Sequence, residues 1–324
     1  MTTSQKIIEY IAKNRQASGK ELSTYLPEIT PRAIRKQLKK LLDQNVLKKI
    51  GRPPKVYYLL ETEKKSLDEN KIDKNITSLI NKRYLYISPS GQSMPGLNGF
   101  LAWCEKTKQD PVKASHDYIE TVNKFDKFRK ENLIDGMPKM QKTFSNVYLD
   151  KLYYLDFYSI ERFGKTKLGQ MLLYAKQSQN IPLIHGLIKE IRPQIISLIK
   201  KYKIDGVLFI PPTVKREVQF MKELEKQLNL SVATLSVTKV KTEIIVPQKT
   251  LAKLEDRVEN AKHTIIVDDT KKYKNILLID DAVGSGSTLN ETAKKIKDKG
   301  LGLGSVVGLA ITGSFKGFDV ISEV

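Results

Sequence analysis

Apolar positions in the first sixty residues recur at helical spacing and then switch to a strand-like pattern. Ile7, Ile8 and Ile11 share one face of a first helix, and Leu22 and Leu26 mark a short second one entered after Ser18 and Gly19. The stretch ITPRAIRKQLKKLLDQN predicts a third. Thr30 can cap it, Pro31 suits the first helical position, and Ile34, Leu38, Leu41 and Leu42 form a stripe to bury. Two β-prone runs follow, Val46–Ile50 and Val56–Leu60, joined by a glycine–proline turn that carries Arg52 and Lys55. Three short helices and a hairpin are therefore expected over residues 1–62.

Periodicity fades after this point. Residues 61–75 are charged and read as a linker or a solvated helix. Residues 63–147 form a linker and a partly helical region to which the pattern assigns no chemistry. The aromatic cluster in 148–164 alternates well enough for one or two strands. Residues 181–204 read as helix, with Pro193 expected to mark a break or kink.

From Asp205 onward short apolar runs alternate with helical segments. Strands are predicted at 206–210, 231–237, 263–267, 275–280 and 304–312. A helix is predicted over 214–228, with Val218, Met221, Leu224 and Leu228 on its apolar face. Such alternation implies an α/β domain with a mostly parallel sheet covered on both faces, here 148–324 with its core in 205–324. Ligands of such sheets bind at the carboxyl ends of the strands.

Composition narrows the function classes. One cysteine and three scattered histidines exclude a disulfide framework and offer no metal-ligand cluster. No apolar run approaches the roughly 20 residues needed to span a bilayer, and the first twenty residues lack a signal-peptide core, so a cytoplasmic protein without a membrane partner is expected. The net charge of +20 is concentrated at the start: residues 1–60 carry 13 Lys/Arg against 4 Asp/Glu. That bias points to a polyanionic partner.

The N-terminal segment, down to its GRPPKVYYL turn, resembles the winged helix-turn-helix DNA-binding family. The resemblance implies duplex DNA as partner. Arg32, Arg35, Lys36, Lys39 and Lys40 on the third helix would face the major groove, and Arg52 and Lys55 on the wing would face the backbone or minor groove. The same fold used only for protein contacts is the alternative.

The densest chemistry lies in NILLIDDAVGSGSTLNETA, residues 275–293. An apolar strand delivers Asp280 and Asp281 just past its end, and Ala282 and Val283 lead into a turn. Gly284 and Gly286 let that turn aim its N–H groups inward, and Ser285, Ser287 and Thr288 add hydroxyls. A helix is expected from near Ser287, with Leu289, Ala293 and Ile296 buried. Amides gathered at a helix N-terminus suit a phosphate monoester. Two acids beside them can accept hydrogen bonds from a vicinal diol and help hold a cation. Together they describe a site for a ribose 5-phosphate. A Walker A loop and a dinucleotide fingerprint are excluded by spacing.

These residues resemble the 5-phosphoribosyl-1-pyrophosphate (PRPP) signature of type I phosphoribosyltransferases, with Gly284 where that family often has threonine. A second stretch, IIVDD ending at Asp269, has the acids without the glycine loop and reads as an ordinary strand end. The resemblance further implies a pyrophosphate loop at 209–217 with Lys215 and Arg216. It also implies a mobile basic loop at 238–264 with Lys239, Lys241, Gln248 and Arg257. Pro247, Gln248, Leu251, Arg257 and Asn260 are similar to the competence protein F branch, although that branch's cysteine-bearing zinc ribbon is missing. The implied activity is transfer of phosphoribosyl from PRPP to a nitrogen acceptor, with Mg2+ held mainly by the substrate. A non-catalytic PRPP-responsive regulator, similar in architecture to the purine-operon repressor, is the alternative. A DNA-uptake accessory is a weaker one, and a homodimer is left open.

Overall fold

The computed structural model describes residues 1–61, 72–214, 216–240, 243–244 and 246–315. The chain divides into two compact units, Met1–Glu69 and Asn70–Val324.

The first unit contains α1 (Thr3–Asn14), β1 (Ala17–Ser18), α2 (Gly19–Tyr25), α3 (Pro31–Asp43), β2 (Leu47–Arg52) and β3 (Lys55–Leu60). Each helix is begun by a side-chain cap, which supplies acceptors to amides that the helix cannot satisfy itself. Thr2 and Ser18 form capping boxes with Gln5 and Glu21, and Thr30 Oγ1 accepts from Ala33 N–H at 3.2 Å. Ile34, Leu38 and Leu41 of α3 are buried against Ile7, Ile11, Leu22 and Leu26, whereas Leu42 is half-buried. The opposite faces of α3 leave Arg32, Arg35, Lys36, Lys39 and Lys40 exposed. Antiparallel pairing runs from Leu47↔Leu60 to Arg52↔Lys55, and β1 joins β3 as a third strand that periodicity did not predict. The turn depends on Gly51. Its φ is +81°, and a Cβ there would lie 2.2 Å from the Lys55 carbonyl oxygen. Lys55 is exposed, and the side chain of Arg52 is outside the described residues.

The second unit opens with α4 (Lys74–Arg83), β4 (Leu85–Ile87), β5 (Ser93–Pro95), α5 (Gly96–Thr107), α6 (Pro111–Asp126), β6 (Arg129–Lys130), β7 (Leu133–Asp135) and α7 (Met137–Thr143). It continues through β8 (Lys151–Phe157), α8 (Lys167–Ser178), α9 (Ile181–Lys201), β9 (Gly206–Phe209), α10 (Phe220–Leu228), β10 (Ala233–Thr234) and β11 (Val237–Lys239). It closes with α11 (Leu254–Thr264), β12 (Ile265–Val267), β13 (Ile276–Val283), α12 (Ser287–Asp298) and β14 (Val306–Gly313). The main sheet has the order β10-β9-β13-β14-β8-β7-β6, parallel from β10 to β8 and antiparallel beyond. Alternate residues of β13 enter opposite cores. Ile276 and Leu278 pack with α12, and Leu277 and Ile279 pack with α8, α9 and α10.

Several expectations are corrected. The compact unit that holds the sheet begins at Asn70 rather than 148. Ile80, Phe100, Tyr118, Val122 and Met140 of α4–α7 share one buried cluster with Leu278 and Ile296. Residues 72–147 thus belong to the α/β unit, adding helices to its core and the antiparallel strands β6 and β7 to its sheet. α9 runs unbroken through Pro193, because Pro193 and Lys189, whose carbonyl loses its helical partner, both lie on the exposed face. The 231–237 run splits into β10 and β11, and 263–267 yields β12 outside the main sheet, paired antiparallel with β11. Ile266 is 42% exposed, so that strand is buried on one side only. The 214–228 helix begins at Phe220. Upstream, Val218 N–H is held by Gln179 Oε1 at 2.8 Å, and Gln219 Nε2 donates to the Arg216 carbonyl at 2.8 Å, which keeps 216–219 out of the helix.

Candidate functional site

The connections reverse direction between β9 and β13. β9 leads through α10 on one face to β10 at the outer edge, and β13 leads through α12 on the other face to β14. A crevice opens at such a switch point, beyond the carboxyl ends of the strands. Here β9 stops early. Its last bond to β13 is Ile210 N–H to the Ile279 carbonyl at 2.9 Å, while β13 continues beside β14 as far as Val283↔Gly313. Asp280 and Asp281 therefore lie within an extended strand, not just past one, on an edge that β9 has vacated.

That edge borders a cleft of about 200 Å³. One wall is Asp280–Leu289, and the other is formed by Ile210–Val214, Arg216 and the start of α10. Lys176, Lys239, Pro247, Gln248 and Arg257 complete the lining. The loop residues Ala282, Val283, Gly284, Ser285, Gly286, Ser287 and Thr288 thus lie in one cleft with both acids and four of the six basic-loop candidates. Lys215 and Lys241 fall outside the described residues.

The turn is built to present amides. Gly286 caps α12 with φ +88° and no side-chain hydrogen bond. Among the described residues, the N–H groups of Ser285, Gly286, Thr288 and Leu289 meet no acceptor, and the first helical bond is Asn290 N–H to Gly286 at 2.9 Å. Ser287 N–H makes a long bond, 3.3 Å, to Ser285 Oγ. Several convergent donors and the helix N-terminus favour an anion. The Ser285 and Ser287 hydroxyls are buried and bond each other at 3.0 Å. Burial of Leu289 and Ile296 in α12 contributes about 1.5–3 kcal/mol each and holds the loop against the sheet.

The loop also rests on residues that pattern reading left without a role. A Cβ on Gly286 would lie 2.4 Å from Met140 Sδ of α7. Asn290 accepts from Tyr148 N–H at 2.8 Å and donates to the Asn146 carbonyl at 3.0 Å, tying α12 to the segment before β8. Thr213 and Lys176 are further residues that sequence reasoning missed. Thr213 Oγ1 accepts from Lys239 Nζ at 2.6 Å, and Lys176 Nζ is 2.5 Å from Asp281 Oδ2.

Electrostatics are strained in this cleft. Burial, and next the adjacent charge of Asp281, raise the pKa of Asp280 to about 7, although Lys176, Lys239 and the Asp281 amide oppose the shift. Burial lowers that of Lys239 against the pull of both aspartates. Arg257 is buried, and burial lowers its pKa too. Its Nε donates to the Leu251 carbonyl at 2.7 Å, whereas Nη2 meets no partner among the described residues; Gln248 Nε2 donates to the Arg257 carbonyl at 2.9 Å. Asn260 donates weakly to the Val246 carbonyl, 3.4 Å, and its Oδ1 meets no partner among the described residues. The guanidinium of Arg216 donates to the Lys176 carbonyl. Among the described residues, no group of three or more His, Cys, Asp or Glu lies where it could hold a metal.

A raised carboxyl pKa has a signed consequence. Protonated Asp280 favours the folded state below about pH 4, and that contribution is lost as pH rises towards 7. Asp280→Asn is therefore expected to stabilise the ligand-free protein at pH 8 by about 1–2 kcal/mol more than at pH 4.5, after discounting for its half-open position. Calorimetric melting at the two pH values checks this, and an equal shift at both would contradict it.

The second acidic pair behaves differently. Asp269 accepts from Ser236 N–H and Lys271 N–H at 3.1 and 2.7 Å, and Asp268 accepts from Thr238 Oγ1 at 2.6 Å. Both tie the end of β12 to β11 and the residue before it, and both stand apart from the cleft lining.

No family model matches the chain, and no curated protein matches it. Among solved structures, it is similar to a hypoxanthine phosphoribosyltransferase from Staphylococcus aureus, at 18% identity and a TM-score of 0.24. That match covers 39% of this chain and 60% of the other. Among the described residues, no helix is long and apolar enough to cross a membrane.

Proposed function

We propose that the second unit binds PRPP and transfers its phosphoribosyl group to a nitrogen acceptor. The observation that carries this reading is the cluster of Ser285, Gly286, Thr288 and Leu289 amides, which meet no acceptor among the described residues, sharing one cleft with Asp280 and Asp281. The amides of the loop would take the 5-phosphate, and the two carboxylates would accept from the ribose 2- and 3-hydroxyls. Arg257, whose Nη2 meets no partner among the described residues, and Lys239 line the same cleft and would meet the pyrophosphate. In the reaction the acceptor nitrogen forms a bond to ribose C1 and the C1–oxygen bond breaks. Pyrophosphate leaves with that electron pair, and the nitrogen loses its proton. Charge develops on both sides of C1, so positioning and fixed dipoles suffice as the protein's contribution. Mg2+ arriving with PRPP would neutralise charge on the leaving group. Pyrophosphate release measured over a panel of bases, amines and ammonia tests the transfer: release dependent on one acceptor supports it.

A second reading, PRPP as effector of a DNA-binding regulator, is favoured by the first unit. Its element order and exposed basic α3 suit a winged helix on duplex DNA. Calorimetric PRPP binding with no release for any acceptor would favour it. In the full chain, Arg35→Ala, Lys36→Ala and Lys39→Ala together should flatten the slope of log affinity for duplex DNA against log salt. The slope should change by about 0.9 for each phosphate that is no longer neutralised. Fluorescence anisotropy over a salt series reads the slope, and an unaltered one would remove α3 from the interface.

A further inference from the structure

Asp281 has a partner that the loop itself does not supply. Lys176 Nζ lies 2.5 Å from Asp281 Oδ2, and 16% and 18% of the two side chains are exposed. Lys176 belongs to the last turn of α8, which is also tied to the opposite wall of the cleft. The Arg216 guanidinium donates to the Lys176 carbonyl, and Val218 N–H donates to Gln179 Oε1 at 2.8 Å. One helical turn therefore contacts both the acidic pair and the loop that faces it.

Five charged groups crowd this point: Asp280 beside Asp281, Lys176 from α8, Lys239 from β11 and Arg216 from the facing loop. Two adjacent carboxylates with no counter-charge would repel each other and any polyanionic ligand. An exposed ion pair would do little about this, since solvent screens it and its side chains wander. This pair is mostly enclosed and is fixed from the backbone of a packed helix, whose Met171, Leu172 and Ala175 are buried. Nothing in the loop motif requires a lysine thirty residues before β9, which is why local sequence patterns do not point to it.

We propose that Lys176 is a positioning residue of the cleft, fixing the direction of the Asp281 carboxylate and offsetting its charge so that the acidic pair meets a phosphorylated sugar in one orientation. The inference rests on the PRPP reading. It also joins the loop at 211–219 to the acidic pair, because displacement of α8's last turn would move both.

Calorimetry on the full chain with PRPP at fixed Mg2+ tests it. Lys176→Met should weaken binding about tenfold or more, and Lys176→Arg by less than about threefold. In an Asp281→Asn background the Lys176→Met change should shrink to less than about twofold, since the lysine acts through that carboxylate. A tenfold loss in both backgrounds would mean that Lys176 touches the ligand directly and would overturn the positioning role. Full affinity in Lys176→Met would overturn it as well. Melting of the same proteins without ligand separates this failure from that of the PRPP reading. Non-additive melting shifts for the two substitutions are expected, and additive ones overturn the inference whatever binds. Non-additive shifts in a chain that binds no PRPP would uphold the pair and overturn the PRPP reading instead.

Discussion

Joint substitution of Asp280→Asn and Asp281→Asn is expected to weaken PRPP binding by at least about a hundredfold, with the fold intact. Each carboxylate would accept a charge-assisted hydrogen bond from a ribose hydroxyl, and such bonds contribute about 1.5–3 kcal/mol. Two of them give the stated loss. An asparagine keeps the size but offers one acceptor oxygen and a competing donor, so the ribose hydroxyls lose their strongest partners. The Asp280 change should not lower stability, because burial and mutual repulsion already disfavour its charge, so any loss comes from the broken Lys176–Asp281 pair. A titration that shows full affinity in the double variant would refute the assignment of the acids to the diol.

Gly286→Ala should damage the cradle from the backbone side. At φ +88° a side chain is strained wherever it points, by about 1–2 kcal/mol, and this Cβ would also meet Met140 Sδ at 2.4 Å. Met140 is fully buried, so relief requires repacking of its side chain within the core or movement of the loop. Rotation of the loop would turn the amides of Ser285 and Gly286 away from a common point. A fall in melting temperature together with about tenfold weaker PRPP binding is expected. Unchanged values for both would show that the loop geometry is not what holds the phosphate.

The elements most legible in sequence were those specified by neighbouring residues. α3 could be placed because Thr30, Pro31 and the Ile34–Leu38–Leu41 stripe are all local signals, and they coincide in the fold. The loop at 284–288 was legible because glycine, hydroxyl and acid succeed one another directly after an apolar strand. What escaped depends on distant partners. Phe100 and Tyr118 look like any helical aromatics until the sheet they cover is known. Met140, Asn146 and Tyr148 support the loop from more than 130 positions away, and Lys176 reaches Asp281 from 105. β12 misled for a different reason. Its three apolar residues suit a central strand, but β11 pairs with one edge and Ile266 faces outward. The early end of the helical periodicity before Phe220 was hidden because Val218 fits the apolar stripe and yet serves the loop wall.

The central claim is that backbone amides after β13 and the paired aspartates grip one phosphorylated sugar between them. A crystal structure of the full chain grown with PRPP and Mg2+ examines it most directly. The account predicts the 5-phosphate within hydrogen-bond distance of the amides of Ser285–Thr288 and the ribose hydroxyls on Asp280 and Asp281. PRPP bound elsewhere, or its phosphate held by lysine side chains with those amides unengaged, would contradict it.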